Sequence, residues 1–287
     1  MNIIRVNPKS DDLQRREFVF DGNFIVYSKS EALENITSHA NTLIVSAFGN
    51  DPEKAQYNMS VQEFVDIAGA LKTEFTNAAK TKELIKEILL EFKADVNKTY
   101  FDVPRLRIVT SDNFLSSGVG YAYKAHRDTW YSSPSSQVNW WMPVYDLQHA
   151  NTMSMYPGYW DKPLKNSSEI FDYQNWCNEG RKMATSVIGQ DMRKHPLPTE
   201  AVEETTETRF VMASGEMLIF SAAQVHATAP NTSGKTRFSM DFRTLHLDDL
   251  QQSRGAKNID NKSTGTTLGD FLSIKDFTKI NEEIISN

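Results

Sequence analysis

Apolar residues recur at helical spacing in two stretches of the first hundred residues. In SVQEFVDIAGALKTEF, residues 60–75, Val61, Phe64, Val65, Ile67, Ala68, Leu71 and Phe75 repeat near the spacing of a 3.6-residue turn, as Leu84, Ile85, Ile88, Leu89 and Phe92 do in TKELIKEILLEFK, residues 81–93. Both patterns predict amphipathic helices that cover something apolar. A short strand is expected before them at NFIVYS. From Val103 onward the period changes toward two. PRLRIVTS, GVGYAYKAH, QVNWWMPVYD, NTMSMYP, TRFVMAS, EMLIFSA, QVHATAP and TRFSMDFRTL read as strands separated by Gly, Pro, Ser and Asn, enough for a sandwich or a jelly roll.

The alternation breaks between about residues 160 and 206. There SSEIFDYQNWCNEGRKMATSVIGQDM predicts helical or irregular chain and PTEAVEETTET an acidic linker. An insertion of that length in a β-domain is commonly a lid or a binding loop. After Leu250 the polar QQSRGAKNIDNKSTGTTLGD leads into FLSIKDFTKINEEI, read as a wrapping arm that ends in a short helix. The expected organisation is a single domain: helical support over residues 1–102, a β core over 103–245 that carries the insertion, and an arm over 246–287.

Composition narrows the function. A formal charge of -6 gives no basic field to hold a phosphate backbone, so nucleic acid is not the expected partner. Cys177 is the only cysteine, which excludes an internal disulfide and a Cys-rich zinc module and fits a reducing compartment. The charged start MNIIRVNPKSDDLQRREF lacks the apolar centre of a signal peptide, and no run approaches the roughly 20 apolar residues of a membrane span. A cytoplasmic protein acting on a small molecule is expected, and any metal must be held by histidines and carboxylates.

Candidate chemistry begins at YAYKAHRDTWY. In extended chain residues i and i+2 point the same way, so His126 and Asp128 converge while Arg127 points away. The spacing alone is weak evidence, for the chain carries a second copy at His246-Leu247-Asp248. Order along the chain separates the two. His226, near the end of an apolar strand, follows the first pair, whereas no histidine follows His246. Two imidazoles and one carboxylate on one face, with other positions open, suit a non-haem Fe(II) that must also bind a co-substrate and dioxygen. Eleven residues after His226, alternation in KTRFSMDFRTL places Arg237, Ser239, Asp241 and Arg243 opposite Phe238, Met240 and Phe242. An inward arginine with a hydroxyl two residues on is a seat for a carboxylate. A structural bridge from Arg237 to Asp241 or Glu216 is the plain alternative.

These residues resemble the Fe(II)- and 2-oxoglutarate-dependent oxygenases, and among them the phytanoyl-CoA dioxygenase-like branch. The resemblance spans residues 103–245 and rests on HRD, on NWWMPVYDL with the later MYPGYW, and on SGEMLIFSAAQVHATAPNTSGKTRFSMDFR. It implies a double-stranded β-helix core, cupin-like, with N-terminal helices and a lid insertion. It further implies iron on His126, Asp128 and His226, and Arg237 on the distal carboxylate of 2-oxoglutarate. Thr228, Ser239 and Trp141 (or its neighbour Trp140) would stand beside that co-substrate. The chain has Pro157-Gly158-Tyr159-Trp160 where the branch often has Pro-Gly-Ser-His, so substrate contacts should differ, and no basic cluster is matched to acyl-CoA. Asp128 argues against the halogenase relatives, which carry a small residue there.

The expected reaction is oxidation of a substrate C–H bond, with 2-oxoglutarate and dioxygen consumed and succinate and carbon dioxide released. Trp130, Tyr131, Arg243 and Trp160 are the candidate substrate contacts, and Tyr159, Tyr173 and Trp176 fit either an aromatic lid or core packing. Tyr121, Tyr123 and Tyr145 are candidates to orient the imidazoles, whereas His39, His149 and His195 read as surface residues and Met142, Met153 and Met155 as core. Two other readings stay open: a cupin-like metal-dependent hydrolase or isomerase, and a barrel that binds a small molecule without turnover.

Overall fold

Asp11 and Ser60 each start a helix with a capping box, accepting from a backbone N–H three residues on while that residue's side chain reaches back. The computed structural model describes residues 2–121, 123–180 and 193–281. Its first part holds β1 (Ile4–Val6), α1 (Asp12–Phe20), β2 (Phe24–Tyr27), α2 (Glu31–Phe48), α3 (Val61–Asn77) and α4 (Ala79–Glu91). The expected strand and the two periodic helices are present, joined by α1 and by the eighteen-residue α2. The second part holds β3 (Thr99–Phe101), β4 (Arg105–Val109), β5 (Val138–Pro143), β6 (Met153–Met155), β7 (Thr208–Arg209), β8 (Met217–Ser221), β9 (His226–Thr228), β10 (Arg237–His246) and β11 (Leu272–Ser273).

Two sheets form. The larger has eight strands, ordered β1-β2-β8-β5-β10-β3-β11 with β4 also on β10; the smaller is β7-β6-β9. Only β1 and β2 run parallel among the assigned pairs. Period-two alternation divides the larger sheet's side chains as expected. Leu106, Ile108, Trp140, Met142, Phe238, Met240 and Phe242 join the helices' Phe64, Leu71, Phe75 and Ile88 in the main core. On the opposite face Phe24, Trp141, Leu218 and Phe220 meet Met153 and Met155 of the smaller sheet. The molecule is thus layered as helices, large sheet, small sheet, with the remaining side chains of β4, β5 and β10 turned toward the space between the sheets.

Two expectations need correction. Over its described residues GVGYAYKAH is not a strand: Gly118–Gly120 form a single 3-10 turn, Tyr123 O accepts from Thr228 N–H, and His126 pairs through an isolated bridge to His226. FLSIKDFTKINEEI is not a helix over its described part, which forms β11 and a turn in which Phe277 N–H donates to Ser273 O; residues 282–287 lie outside the described residues. The insertion contains short turns at Ser168–Ile170 and Tyr173–Asn175, and its residues 181–192 also lie outside. The arm does wrap: Ala256 N–H donates to Ser135 O and Thr267 N–H to Ser132 O, directly behind the HRD segment.

Candidate functional site

The bridge between His126 and His226 sets the site. Each backbone N–H donates to the other's carbonyl at 2.9 Å, so two segments a hundred residues apart present their imidazoles together. Arg127 is extended, φ -105 and ψ 142, and Asp128 opens a 3-10 turn. The i to i+2 argument therefore holds for one residue of extended chain without a full strand. Asp128 Oδ1 lies 3.5 Å from His126 Nε2 and 3.8 Å from His226 Nε2. One donor atom from each of the three buried residues lies within 4.8 Å of the others, which fits one ion. Arg127 turns away as expected, donating to Asp260 Oδ2 at 3.1 Å and to the carbonyls of Ala223, Tyr159 and Lys162.

The orienting groups are not tyrosines. His126 Nδ1 meets Lys124 O at 2.7 Å and His226 Nδ1 meets Gln224 O at 2.9 Å, so each ring is fixed by the carbonyl two residues earlier, leaving Nε2 as the free donor. Asp128 Oδ2 is held by Asn139 Nδ2 at 2.6 Å and Gln137 Nε2 at 3.3 Å, while Gln137 also donates to Asn139 Oδ1. Sequence reasoning missed both residues. Asn139 shares the inward parity of Trp141 in the otherwise apolar VNWWMP, and a lone amide at a core-facing position was the available signal.

Electrostatics match the donor set. Burial opposes ionisation of Asp128, but Arg243, a hydrogen bond from His126 and both imidazoles outweigh it and hold the carboxyl well below its usual range. Burial, then the neighbouring His126, lowers His226 to about 4. An ionised carboxylate and an imidazole held neutral suit a divalent ion.

A cavity of about 410 Å³ opens from the three donors. Arg237, Thr228 and Trp141 line it, whereas Trp140 stacks on Phe242 in the core. Arg237 Nη1 donates to Asn151 O and Thr152 O at 3.2 and 3.0 Å; among the described residues its buried Nε has no partner, nor has the Oγ of Ser239 two residues along. The alternative bridges are taken elsewhere: Asp241 accepts from Arg107 Nε at 2.5 Å, and Glu216 accepts from Ala213 N–H in the turn whose Gly215 needs φ 82. Burial, then the charge of Arg107, lowers Arg237 to about 10, still cationic at neutral pH.

A second cavity of about 350 Å³ shares Tyr123, Tyr131, Arg107, Arg193 and Arg243 with the first. Tyr131 and Arg243 line both cavities; Arg243 also lies 3.4 Å from Asp102 and 3.9 Å from Asp128. Trp130 and Trp160 do not line either cavity. Trp130 is fully buried with its indole N–H on Asp260 Oδ1, and Trp160 covers Gly22, where any Cβ would meet its ring. Tyr159 packs with Trp130, while Tyr173 and Trp176 line the second cavity. His195 is not a surface residue: it is buried, stacked on Tyr121, with Nδ1 3.1 Å from the Tyr131 hydroxyl. His39 is half-buried against Thr81 and His149 is exposed, neither near the donors. His246 accepts from Asp248 N–H at the start of the Leu247–Gln251 helix, so the decoy pair is a cap.

Solved structures resemble the chain at low identity. The apo non-heme monooxygenase ThoJ is 14% identical, with a TM-score of 0.47 over 82% of this chain and 78% of that one. EvdO2 from Micromonospora carbonacea var. aurantiaca complexed with 2-oxoglutarate is 12% identical, with a TM-score of 0.47 over 83% and 91%. The epimerase SnoN in complex with Fe3+, alpha ketoglutarate and nogalamycin RO is 11% identical, with a TM-score of 0.40 over 82% and 85%. No curated protein matches the chain in sequence. Residues 24–239 match the model of the family described as phytanoyl-CoA dioxygenase (PhyH), and the chain belongs to that family of iron- and 2-oxoglutarate-dependent oxygenases.

Proposed function

We propose that this oxygenase hydroxylates a C–H bond of a small organic substrate, from one domain spanning the chain, with the two sheets as its double-stranded β-helix and the insertion as a wall over the substrate. The observation that carries the reading is Arg237. Among the described residues its buried Nε has no acceptor in the cavity that also holds the three donors. A buried guanidinium left partly unsatisfied is costly unless a ligand completes it. A metal-dependent hydrolase or isomerase that works without 2-oxoglutarate leaves that seat without a role.

His126, Asp128 and His226 would hold the iron, and Arg237, Ser239, Thr228 and Trp141 the far end of 2-oxoglutarate. When bound, iron with 2-oxoglutarate and dioxygen supplies the oxidising power and the inserted oxygen atom, with succinate and carbon dioxide released. The chain's own residues do the rest. Lys124 O and Gln224 O aim the imidazoles, Asn139 and Gln137 keep Asp128 Oδ1 toward the ion, and Trp141, Met153 and Phe220 close the co-substrate end against water. Burial keeps the Tyr131 phenol protonated, so it can donate to a substrate oxygen.

The test is succinate release from 2-oxoglutarate, dependent on iron and air, in the presence of fractionated small metabolites, with mass spectrometry for a product heavier by one oxygen atom. Asp128→Ala should abolish both signals. Arg237→Ala should raise the 2-oxoglutarate requirement at least about tenfold, as expected for a charge-assisted hydrogen bond, and leave the iron requirement unchanged. Equal effects on both requirements would make Arg237 structural, and metal-dependent turnover without succinate would sink the oxygenase chemistry.

A further inference from the structure

The second cavity, about 350 Å³, meets the metal cavity at Tyr131, which lines both and whose ring lies 5.4 Å from that of His126. Its charges are matched among the described residues. Arg107 puts Nε and Nη2 on the two oxygens of Asp241 at 2.5 and 3.1 Å, Arg105 donates to Asp102 at 2.5 Å, and Arg243 stands between Asp102 and Asp128 at 3.4 and 3.9 Å. By formal charge the guanidiniums of Arg105, Arg107, Arg193 and Arg243 stand against the carboxylates of Asp102, Asp128, Asp241 and Asp270. The cations left over, Arg237 and Lys72, line the first cavity and not this one. A charged group entering the second cavity would give up its water and meet no unmatched counter-charge, which is a net cost that an uncharged group avoids.

Much of the remaining wall is aromatic. Tyr131 and Phe171 stand 5.1 Å apart at 69°, Phe171 and Trp176 stand 5.7 Å apart at 43°, and Tyr123 and Tyr173 also line the space. Rings set at such angles offer a face from one and an edge from the next, the two contacts that a flat ligand ring makes best. The arm adds Thr267, which is 5% exposed and whose buried Oγ1 has no partner among the described residues. A hydroxyl both donates and accepts, reaches a new neighbour by turning about one bond, and costs stability when left unmet. Phe171, Tyr173 and Trp176 belong to the insertion and Thr267 to the arm, so none of the four comes from a segment that carries a metal ligand.

We propose that the second cavity selects the substrate, and that it takes an uncharged, flat ring bearing a hydrogen-bonding group, with the ring among Tyr131, Phe171 and Trp176 and the polar group on the Thr267 hydroxyl. The rest of the substrate extends past Tyr131 to the metal. The inference rests on the proposed hydroxylation only in calling this ligand a substrate. Binding itself can be tested without turnover.

Benzamide, benzoate and benzamidinium share one shape and differ in charge, and cyclohexanecarboxamide keeps the neutral group without the flat ring. Each is titrated by calorimetry into the full chain saturated with nickel(II) and 2-oxoglutarate. Benzamide should bind about tenfold or more tightly than either ion, a preference worth about 1.4 kcal/mol, and about threefold or more tightly than cyclohexanecarboxamide, the size of an aromatic pair. Thr267→Val keeps the shape, removes the hydroxyl and should cost benzamide about fivefold, as for one neutral hydrogen bond. Trp176→Leu should erase the preference for the flat ring. Both variants should leave 2-oxoglutarate binding and the unfolding midpoint unchanged, and if one lowers the midpoint the other decides. An ion that binds as tightly as benzamide, equal binding of the two amides, binding of none of the four, or a benzamide affinity unmoved in the deciding variants overturns the proposal. A benzamide preference in a nickel protein that fails to bind 2-oxoglutarate keeps the subsite and removes the co-substrate seat; 2-oxoglutarate binding without the preference removes only the subsite.

Discussion

Asp128 has two oxygens with different employment. Oδ2 is fastened by Asn139 and Gln137, and Oδ1 is left facing two imidazole nitrogens. Removing the fastening should therefore weaken metal binding without touching a ligand. Asn139→Leu is expected to lower nickel or iron affinity 10–100-fold, the usual effect of losing such a partner, and calorimetric titration checks it; an unchanged affinity would leave Asn139 as packing. The imidazoles predict a pH effect. Folded His226 protonates near 4 and an unfolded one near 6.5, so between those values the unfolded chain holds a proton that the folded chain does not. Stability of the metal-free protein should be full above about 6.5 and fall as pH drops toward about 4. Asp128, held well below 3.8, contributes its loss only at still lower pH. Denaturant unfolding across this range should show the fall, and His226→Gln should reduce it. A remainder is expected from His39 and His246, which shift in the same direction.

At the scale of elements, the arm after β10 is part of the site's support. Asp260 accepts from Arg127 Nε, the Trp130 indole and Leu164 N–H, and so ties the arm to the HRD segment and to the insertion. Asp260→Ala would leave the buried Arg127 guanidinium without its counter-ion, and breaking a buried pair this way costs about 3–5 kcal/mol. Calorimetric unfolding should show a comparable loss, with new protease cleavage in residues 250–270; a change under about 1 kcal/mol would place this ion pair with exposed ones. The same elements show what was legible beforehand. β10 could be read face by face because Arg237, Asp241 and Arg243 alternate strictly with Phe238, Met240 and Phe242. The helix α2 could not, since Ala32, Thr37 and Ala40 occupy positions in its buried stripe where large apolar residues would have drawn the pattern. In GVGYAYKAH the alternation was real but belonged to tyrosines: Tyr123 lines the cavities and Tyr121 stacks on His195, and the segment touches β9 only through Tyr123 O, which accepts from Thr228 N–H, and the His126 bridge. Trp130 followed the metal motif in sequence and was expected at the substrate, but the 3-10 turn begun by Asp128 carries it to the arm's side.

For the whole molecule, the helices take up one face of the large sheet and leave the other for the chemistry, so most of the hydrophobic core is built without the metal. Ion binding then adds to stability by mass action alone: about 2.7 kcal/mol at a free concentration 100 times the dissociation constant. A chelator should lower the unfolding midpoint by a few degrees and leave the far-ultraviolet circular dichroism of the folded state unchanged; loss of that signal would mean that the metal nucleates the fold. The bridge between His126 and His226 points to the first outcome. Those two residues are tied by their own backbones at 2.9 Å, so the socket is finished before its ion arrives. A cell short of iron would then accumulate finished but idle enzyme rather than degraded chain, and activity would return with supply of the ion, without new protein synthesis.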